Sequence, residues 1–255
     1  MLRAVLIDVG GTLWPDTWHP QSDDNRERVC RLRQNAPELS EEEASLLVDI
    51  LGPTDHPLAD RQLTQALISD AIARIKPETP VSLEAVRAAM SLPARGRVQP
   101  FPGASELLAG LEERGLRVVI ASNVLWRDAA DYRRDFRDLG LPDHVSAFVS
   151  SVDVGWRKPH PAFFAAALSA AGHPASQCAM VGDSERNDVA PARALGMMTI
   201  RVTIEQALPA GASDTVATHV CGSLSEVADV LSADFVGRRG VSVRVSPQAN
   251  VDDGG

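Results

Sequence analysis

Cysteine is scarce: the chain has only Cys30, Cys178 and Cys221. They are far apart and odd in number, which fits neither a disulfide framework nor a paired CxxC zinc site and points to a reducing compartment. All three are expected to act as small buried hydrophobes. A basic excess is also lacking, since 25 Lys and Arg stand against 34 Asp and Glu, a net charge of −9. With no surplus to neutralise phosphates, neither nucleic acid nor an anionic membrane is expected as the main partner, although a small local basic site is compatible with this balance. No apolar stretch reaches 18 residues, so no membrane span is expected. The apolar run at the start ends at Asp8, too short for the core of a signal peptide. Hydrophobic residues at 44% and charged residues at 23% are close to the globular average. The expectation is a cytoplasmic globular protein whose 255 residues make one or two domains.

What is present is a rhythm. Short apolar runs occur at 4–7, 116–121, 145–149, 178–181 and 197–202, and a weaker one at 219–221. Runs apolar on both faces read as buried parallel strands. Helical patterns lie between and after them at 104–113, 127–139, 161–171, 188–195 and 224–231. The alternation predicts an α/β fold, a Rossmann-like parallel sheet core flanked by helices. The stretch from Trp14 to Gln99 departs from it, with helical patterns and no clear strand. Ser40 followed by Glu43 reads as a capping box opening a helix that Gly52-Pro53 stops; Leu63 to Ile75 and Ser82 to Met90 give two more. This predicts an inserted all-helical cap domain over 15–97, a core over 1–14 and 98–235, and a mobile tail over 236–255 with a short edge strand at 241–245.

Each of four successive strand ends carries a polar group. The first strand runs into Asp8-Val9-Gly10-Gly11-Thr12-Leu13, a carboxylate where open α/β sheets bind ligands, followed by a sharp turn. Thr12 offers a hydroxyl and an amide to an anion. Alone, the pattern is equally a solvated turn. The second strand ends in Ser122-Asn123, by itself ordinary turn chemistry. The third is followed by Arg157-Lys158-Pro159, where a surface cation is the ordinary reading. The fourth is followed by Gly182-Asp183-Ser184-Glu185-Arg186-Asn187-Asp188, whose carboxylates suit a hard cation such as Mg²⁺. Only the ordered set of four makes chance an inadequate explanation.

This ordered set resembles the haloacid dehalogenase-like hydrolase superfamily. Asp8 to Leu13, Ser122-Asn123, Lys158-Pro159 and Gly182-Asp183 through Asp188 match its four motifs, and Phe101-Pro102-Gly103 resembles another of its runs. The resemblance extends from Leu2 to Leu231, with the helical insert where the family places its type 1 cap. It implies that Asp8 attacks phosphorus and forms an aspartyl-phosphate. It implies Mg²⁺ held by Asp8, the backbone carbonyl of Gly10 and Asp183, with Asp188 as a further carboxylate. Lys158 and Ser122, with Asn123, Thr12 and the amides of the first loop, complete the implied catalytic set. The substrate expected is a small phosphorylated or similar anionic metabolite. Neither its identity nor the oligomeric state can be read from these motifs.

One residue departs from the family pattern. Phosphatases of this superfamily usually carry a second Asp two positions after the nucleophile, as general acid and base; here that position is Gly10. Such groups typically contribute about 10²–10⁴ in rate. The departure leaves open a phosphonate- or halide-cleaving hydrolase, or a degenerate module that binds without catalysis. Halide cleavage in the family needs no metal, which the retained Asp183 and Asp188 argue against. Asp16 and His19 could reach the site from the cap linker, although an exposed pair is the plainer reading. Arg127 and Arg157 are candidates for touching an anionic substrate, with solvated arginines as the plainer reading. Trp14, Trp18, Trp126 and Trp156 suit either the cleft or cap–core packing. His160 is expected to be structural or exposed.

Overall fold

The computed structural model describes residues 1–16, 22–52, 63–143, 145–205 and 215–236. Six parallel strands form one sheet in the order β3-β2-β1-β4-β5-β6: β1 Ala4–Ile7, β2 Arg117–Ser122, β3 Ala147–Ser150, β4 Cys178–Gly182, β5 Met198–Val202 and β6 His219–Cys221. Central β1 is flanked by β2 and β4, with Ile7 opposite both Ile120 and Val181. The chain moves outward to β3 on one side and to β6 on the other. The switch of direction therefore lies beside β1, where an open α/β sheet leaves a crevice at its carboxyl ends.

Side chains along β1 alternate between two cores, as a pleated strand requires. Val5 and Ile7 join the cluster beneath α5 (Ala104–Glu113), α6 (Ala129–Asp138) and α10 (Leu224–Val236). Ala4 and Leu6 face α8 (Pro161–Ala171) and α9 (Ala190–Ala194) on the other side. Capping sets two of these helices. Asp128 and Asp131 close a capping box at the start of α6, and the His160 side chain accepts from the Ala162 amide, with Pro161 in the first turn of α8.

Between β1 and α5 the described residues form four helices, α1 (Ser22–Asn35), α2 (Glu41–Leu51), α3 (Leu63–Ile75) and α4 (Leu83–Met90), around a core including Leu32, Leu47, Leu51, Ile68 and Met90. The Ser40–Glu43 capping box is present. This unit docks on the segment after β2. Trp126 enters its core, while the Arg87 guanidinium bonds Asp131 at 2.9 Å and the Trp126 carbonyl at 2.6 Å. Arg127 reaches back to the Leu92 carbonyl at 2.6 Å.

Some expectations shift. Helix α1 has no counterpart in the sequence reading because its apolar positions are few. It is tied down by polar contacts instead, Arg97 pairing with Asp24 and Glu27 and Arg31 bonding the Ala88 and Ser91 carbonyls. The third strand starts at Ala147 rather than 145. A four-residue helix, α7 (Ser151–Val154), precedes α8. The helix expected over 188–195 is a π-helical turn at Glu185–Val189 followed by α9. The final helix runs past 231 to Val236. Cys30 is exposed, against expectation, whereas Cys178 and Cys221 are buried. Trp18, His19 and the tail from 237, including the strand expected at 241–245, lie outside the described residues.

Candidate active site

The carboxyl ends of β1, β2 and β4, with the chain after β3, open onto a cavity of about 490 Å³. Asp8 leaves β1 with its amide bonded to the Val181 carbonyl at 2.9 Å, and the residue is buried at 7% exposure. The chain then doubles back, because the Thr12 and Leu13 amides both donate to the Val9 carbonyl and the Gly11 amide donates to the Trp14 carbonyl. Gly11 takes φ +70 in this turn, and a Cβ there would lie 2.6 Å from Asp183 Oδ2. Across the site, a Cβ on Gly182 would lie 2.6 Å from Asp188. The two glycines let backbone approach the paired acids.

Lys158 is the electrostatic centre. Its ammonium donates to Asp8 Oδ1 at 2.7 Å, the Ala121 carbonyl at 2.8 Å and Asp188 Oδ1 at 2.5 Å, which uses all three donors. Asn123 holds its backbone from both ends: Nδ2 donates to the Lys158 carbonyl and Oδ1 accepts from the Lys158 amide. Ser122 Oγ pairs with the Tyr132 hydroxyl at 2.7 Å. Thr12 is fully buried and its Oγ1 has no hydrogen-bond partner. It lies behind the loop and does not line the cavity. Asp8 Oδ2 accepts from no donor among the described residues.

Oxygen atoms of Asp8, Asp183 and Asp188 lie within 4.8 Å of one another. An all-oxygen set of this kind suits a hard divalent cation. Protonation follows the same surplus of negative charge. Burial pushes the Asp183 carboxyl up to about 6, with Asp8 and Asp16 adding like charge. Burial also raises Asp188, and Asp8 and Asp183 add to this against the pull of Lys158. Burial alone would lower the Lys158 ammonium, but Asp188 and Asp8 outweigh it and hold it above its ordinary value. The three shifts are consistent, since one ammonium shared by several carboxylates stays charged while the carboxylates compete for protons.

The cavity therefore holds Asp8, Ser122, Asn123, Lys158, Asp183 and Asp188 together, with Gly10 at its wall. Trp14 lines it too, packing on Tyr132 and Phe136. Trp126 belongs to the helical unit and Trp156 stacks on His160 at 4.0 Å. The Arg157 side chain lines the cavity with no ion pair or hydrogen bond among the described residues, and burial lowers its pKa. Asp16 is a lining residue as well, its carboxyl raised by burial and by Asp8 and Glu205. Sequence reasoning missed Tyr132, Glu185 and Arg201. Arg201 could have been found, because it stands near the carboxyl end of β5, where the other strands placed their polar groups.

The family model for haloacid dehalogenase-like hydrolases matches residues 2–196. Haloacid dehalogenase-like hydrolase domain-containing protein 3 of Bos taurus is 32% identical over 138 residues, 52% of this chain and 52% of that protein. The phosphoglycolate phosphatase of Rhodospirillum rubrum is 37% identical over 100 residues, 39% of this chain and 40% of the other. The chain thus spans about half or less of the length of these curated relatives. Among solved structures, the 2-haloacid dehalogenase of Pseudomonas syringae pv. Tomato DC3000 has the same fold, with a TM-score of 0.58, 23% identity, and 91% and 99% of the two chains covered. No helix among the described residues is long and apolar enough to cross a membrane. With its family model spanning all four motifs and a fold shared across nearly the whole chain, this protein belongs to the haloacid dehalogenase-like hydrolases.

Proposed function

We propose that this hydrolase is a Mg²⁺-dependent phosphatase for a small phosphorylated metabolite, working through an aspartyl-phosphate on Asp8. The observation that carries the reading is the junction at Asp8, a residue lining the cavity: one carboxylate oxygen is fixed by Lys158, the other accepts from no donor among the described residues, and Asp183 and Asp188 stand beside it. Asp8, Asp183 and Asp188 would hold the metal. When bound, it would offset charge on the approaching phosphate and on the nucleophile. Lys158, its three donors held by Asp8, Asp188 and the Ala121 carbonyl, would fix the nucleophile and act through its charge on the transferring oxygens, with the Ser122 hydroxyl lining the same cavity. Asn123 positions Lys158 rather than touching substrate. Arg157, whose side chain has no partner among the described residues, gives the cavity a cation for an anionic substrate. The phosphatase names among the relatives support this choice. The retained acidic trio favours it over halide cleavage, for which the family resemblance implies no metal. The four helices α1–α4 would serve as the cap that selects substrate.

A panel of small phosphate esters tests the reading. Phosphate release with Mg²⁺, abolished by excess EDTA and restored by added Mg²⁺, is the expected result. Metal-independent release, or halide release from a haloacid with no activity on esters, would remove it.

Stability should report the metal through pH. In the metal-free fold Asp183 keeps its proton up to about pH 6, whereas its ordinary value is 3.8. The folded state therefore binds more protons across that window, and stability falls as pH rises through it. Mg²⁺ competes with the proton and removes the repulsion. The gain in melting temperature on adding Mg²⁺ should be small near pH 4.5 and larger at pH 7, as thermal melts would show. An equal gain at both values would contradict a site built on Asp183.

A further inference from the structure

We propose that Asp16 is the general acid and base of this site, a carboxylate delivered from six residues further along the loop to replace the one that position 10 lacks. The proposal rests on the phosphatase reading. Its observation is a shared volume: a Cβ placed on Gly10 would lie 2.6 Å from Asp16 Oδ1, 3.3 Å from its Cγ and 3.6 Å from its Cα. The Asp16 carboxylate thus occupies the space into which any side chain on residue 10 would grow. A side chain on residue 10 and the Asp16 carboxylate in this position require one of the two to move.

The loop explains how residue 16 returns to residue 10. The Gly11 amide donates to the Trp14 carbonyl at 2.8 Å, and Gly10 and Trp14 form a bridge, so the chain folds back across the first turn. Beyond it, the Asp16 amide is anchored on Glu205 Oε2 at 3.2 Å. The side chain of Asp16 lines the same cavity as Asp8 and accepts from no donor among the described residues. Structural aspartates are commonly spent on a cap or an ion pair, and among the described residues this one is spent on neither.

The chemistry balances across two steps. As Asp8 forms its O–P bond and the ester P–O bond breaks, the Asp16 carboxyl gives its proton to the leaving oxygen, which departs as an alcohol. Asp16, now a carboxylate, takes a proton from water as the water oxygen attacks phosphorus. The Asp8 O–P bond breaks, phosphate leaves, and Asp16 again carries a proton.

Two esters of similar shape test this, phenyl phosphate and p-nitrophenyl phosphate, because phenol is much the poorer leaving group. With Asp16→Asn, turnover of phenyl phosphate should fall by about 10²–10⁴. With p-nitrophenyl phosphate the same variant should release a burst of p-nitrophenol equal to the enzyme present and then turn over slowly, because the first step needs little acid and the second still lacks its base. Gly10→Asp alone should lose activity by crowding two carboxylates together, and Gly10→Asp with Asp16→Ser should recover more than either single variant. Thermal melts on each variant separate these results from misfolding. Equal losses on both esters without a burst, wild-type turnover in Asp16→Asn, or a double variant no better than the singles would overturn the proposal. If the wild type cleaves neither ester with Mg²⁺, the phosphatase reading falls first.

Discussion

Asp8→Asn should lower phosphate release by on the order of 10⁴–10⁶-fold while leaving the fold as stable as before, or more so. The size of the loss follows from the proposed role of Asp8 as the nucleophile on which both steps would depend. The stability follows from the charges around it. Asn keeps an oxygen where Lys158 finds Asp8 Oδ1 at 2.7 Å, so the ammonium need not lose a partner. The substitution also removes one member of a crowded group of acids in which Asp183 and Asp188 are already pushed toward protonation. Groups placed for chemistry commonly sit in arrangements that cost stability, and their removal relieves that strain. Steady-state rates and melting temperatures in metal-free buffer check both halves. More than about one hundredth of wild-type activity would place the nucleophile elsewhere. A melting temperature several degrees lower would attribute the loss to a damaged fold.

The contrast between legible and illegible features follows from the range of the forces involved. Asp8, Ser122 and Asp183 were legible because a parallel strand brings its end to one edge of the sheet, and apolar runs mark where each strand ends; Lys158, beyond α7, was legible only through the ordered motif set. Helix α2 was legible because Ser40 and Glu43 complete a cap within three residues. The π-helical turn at Glu185–Val189 was not, because helical periodicity over five residues cannot distinguish one hydrogen-bond spacing from another. That turn places Asp188 at 1% exposure against Lys158. Tyr132 was missed for a similar reason: on α6 it reads as one more apolar position, and only the packed fold brings its hydroxyl to Ser122. Asp16 was visible as a residue but not as a neighbour of Gly10. The doubling back of the loop, which creates that contact, is held by backbone bonds among residues 9–14 and marked in the sequence only by the glycine at the turn.

The balance of charge makes Lys158→Met the second large effect. The substitution takes three donors from a side chain 1% exposed and leaves the Ala121 carbonyl, Asp8 and Asp188 without them. Removing one partner of a buried ion pair typically costs about 3–5 kcal/mol, because the remaining charge stays desolvated. Here the cost should depend on pH, since Asp188 can escape it by taking a proton. Burial and like charge already raise Asp188, and loss of the ammonium raises it further. The folded variant then binds a proton that the unfolded chain releases in the ordinary carboxylate range, so its stability falls as pH rises above that range. The deficit against wild type should be smaller at pH 5 than at pH 8 in urea melts. Mg²⁺ should recover part of the stability, because a cation among Asp8, Asp183 and Asp188 again offsets their charge. It should not recover turnover, because the ammonium that fixes Asp8 at 2.7 Å and sets positive charge beside it is gone, a loss of roughly 10²–10³-fold by comparison with other charge-stabilising donors. Lys158→Arg should not substitute, since a planar guanidinium cannot point three donors in the directions an ammonium does within so closed a space. A deficit of equal size at both pH values would mean that Asp188 does not carry the strain. Activity restored by Mg²⁺ alone would remove Lys158 from the chemistry.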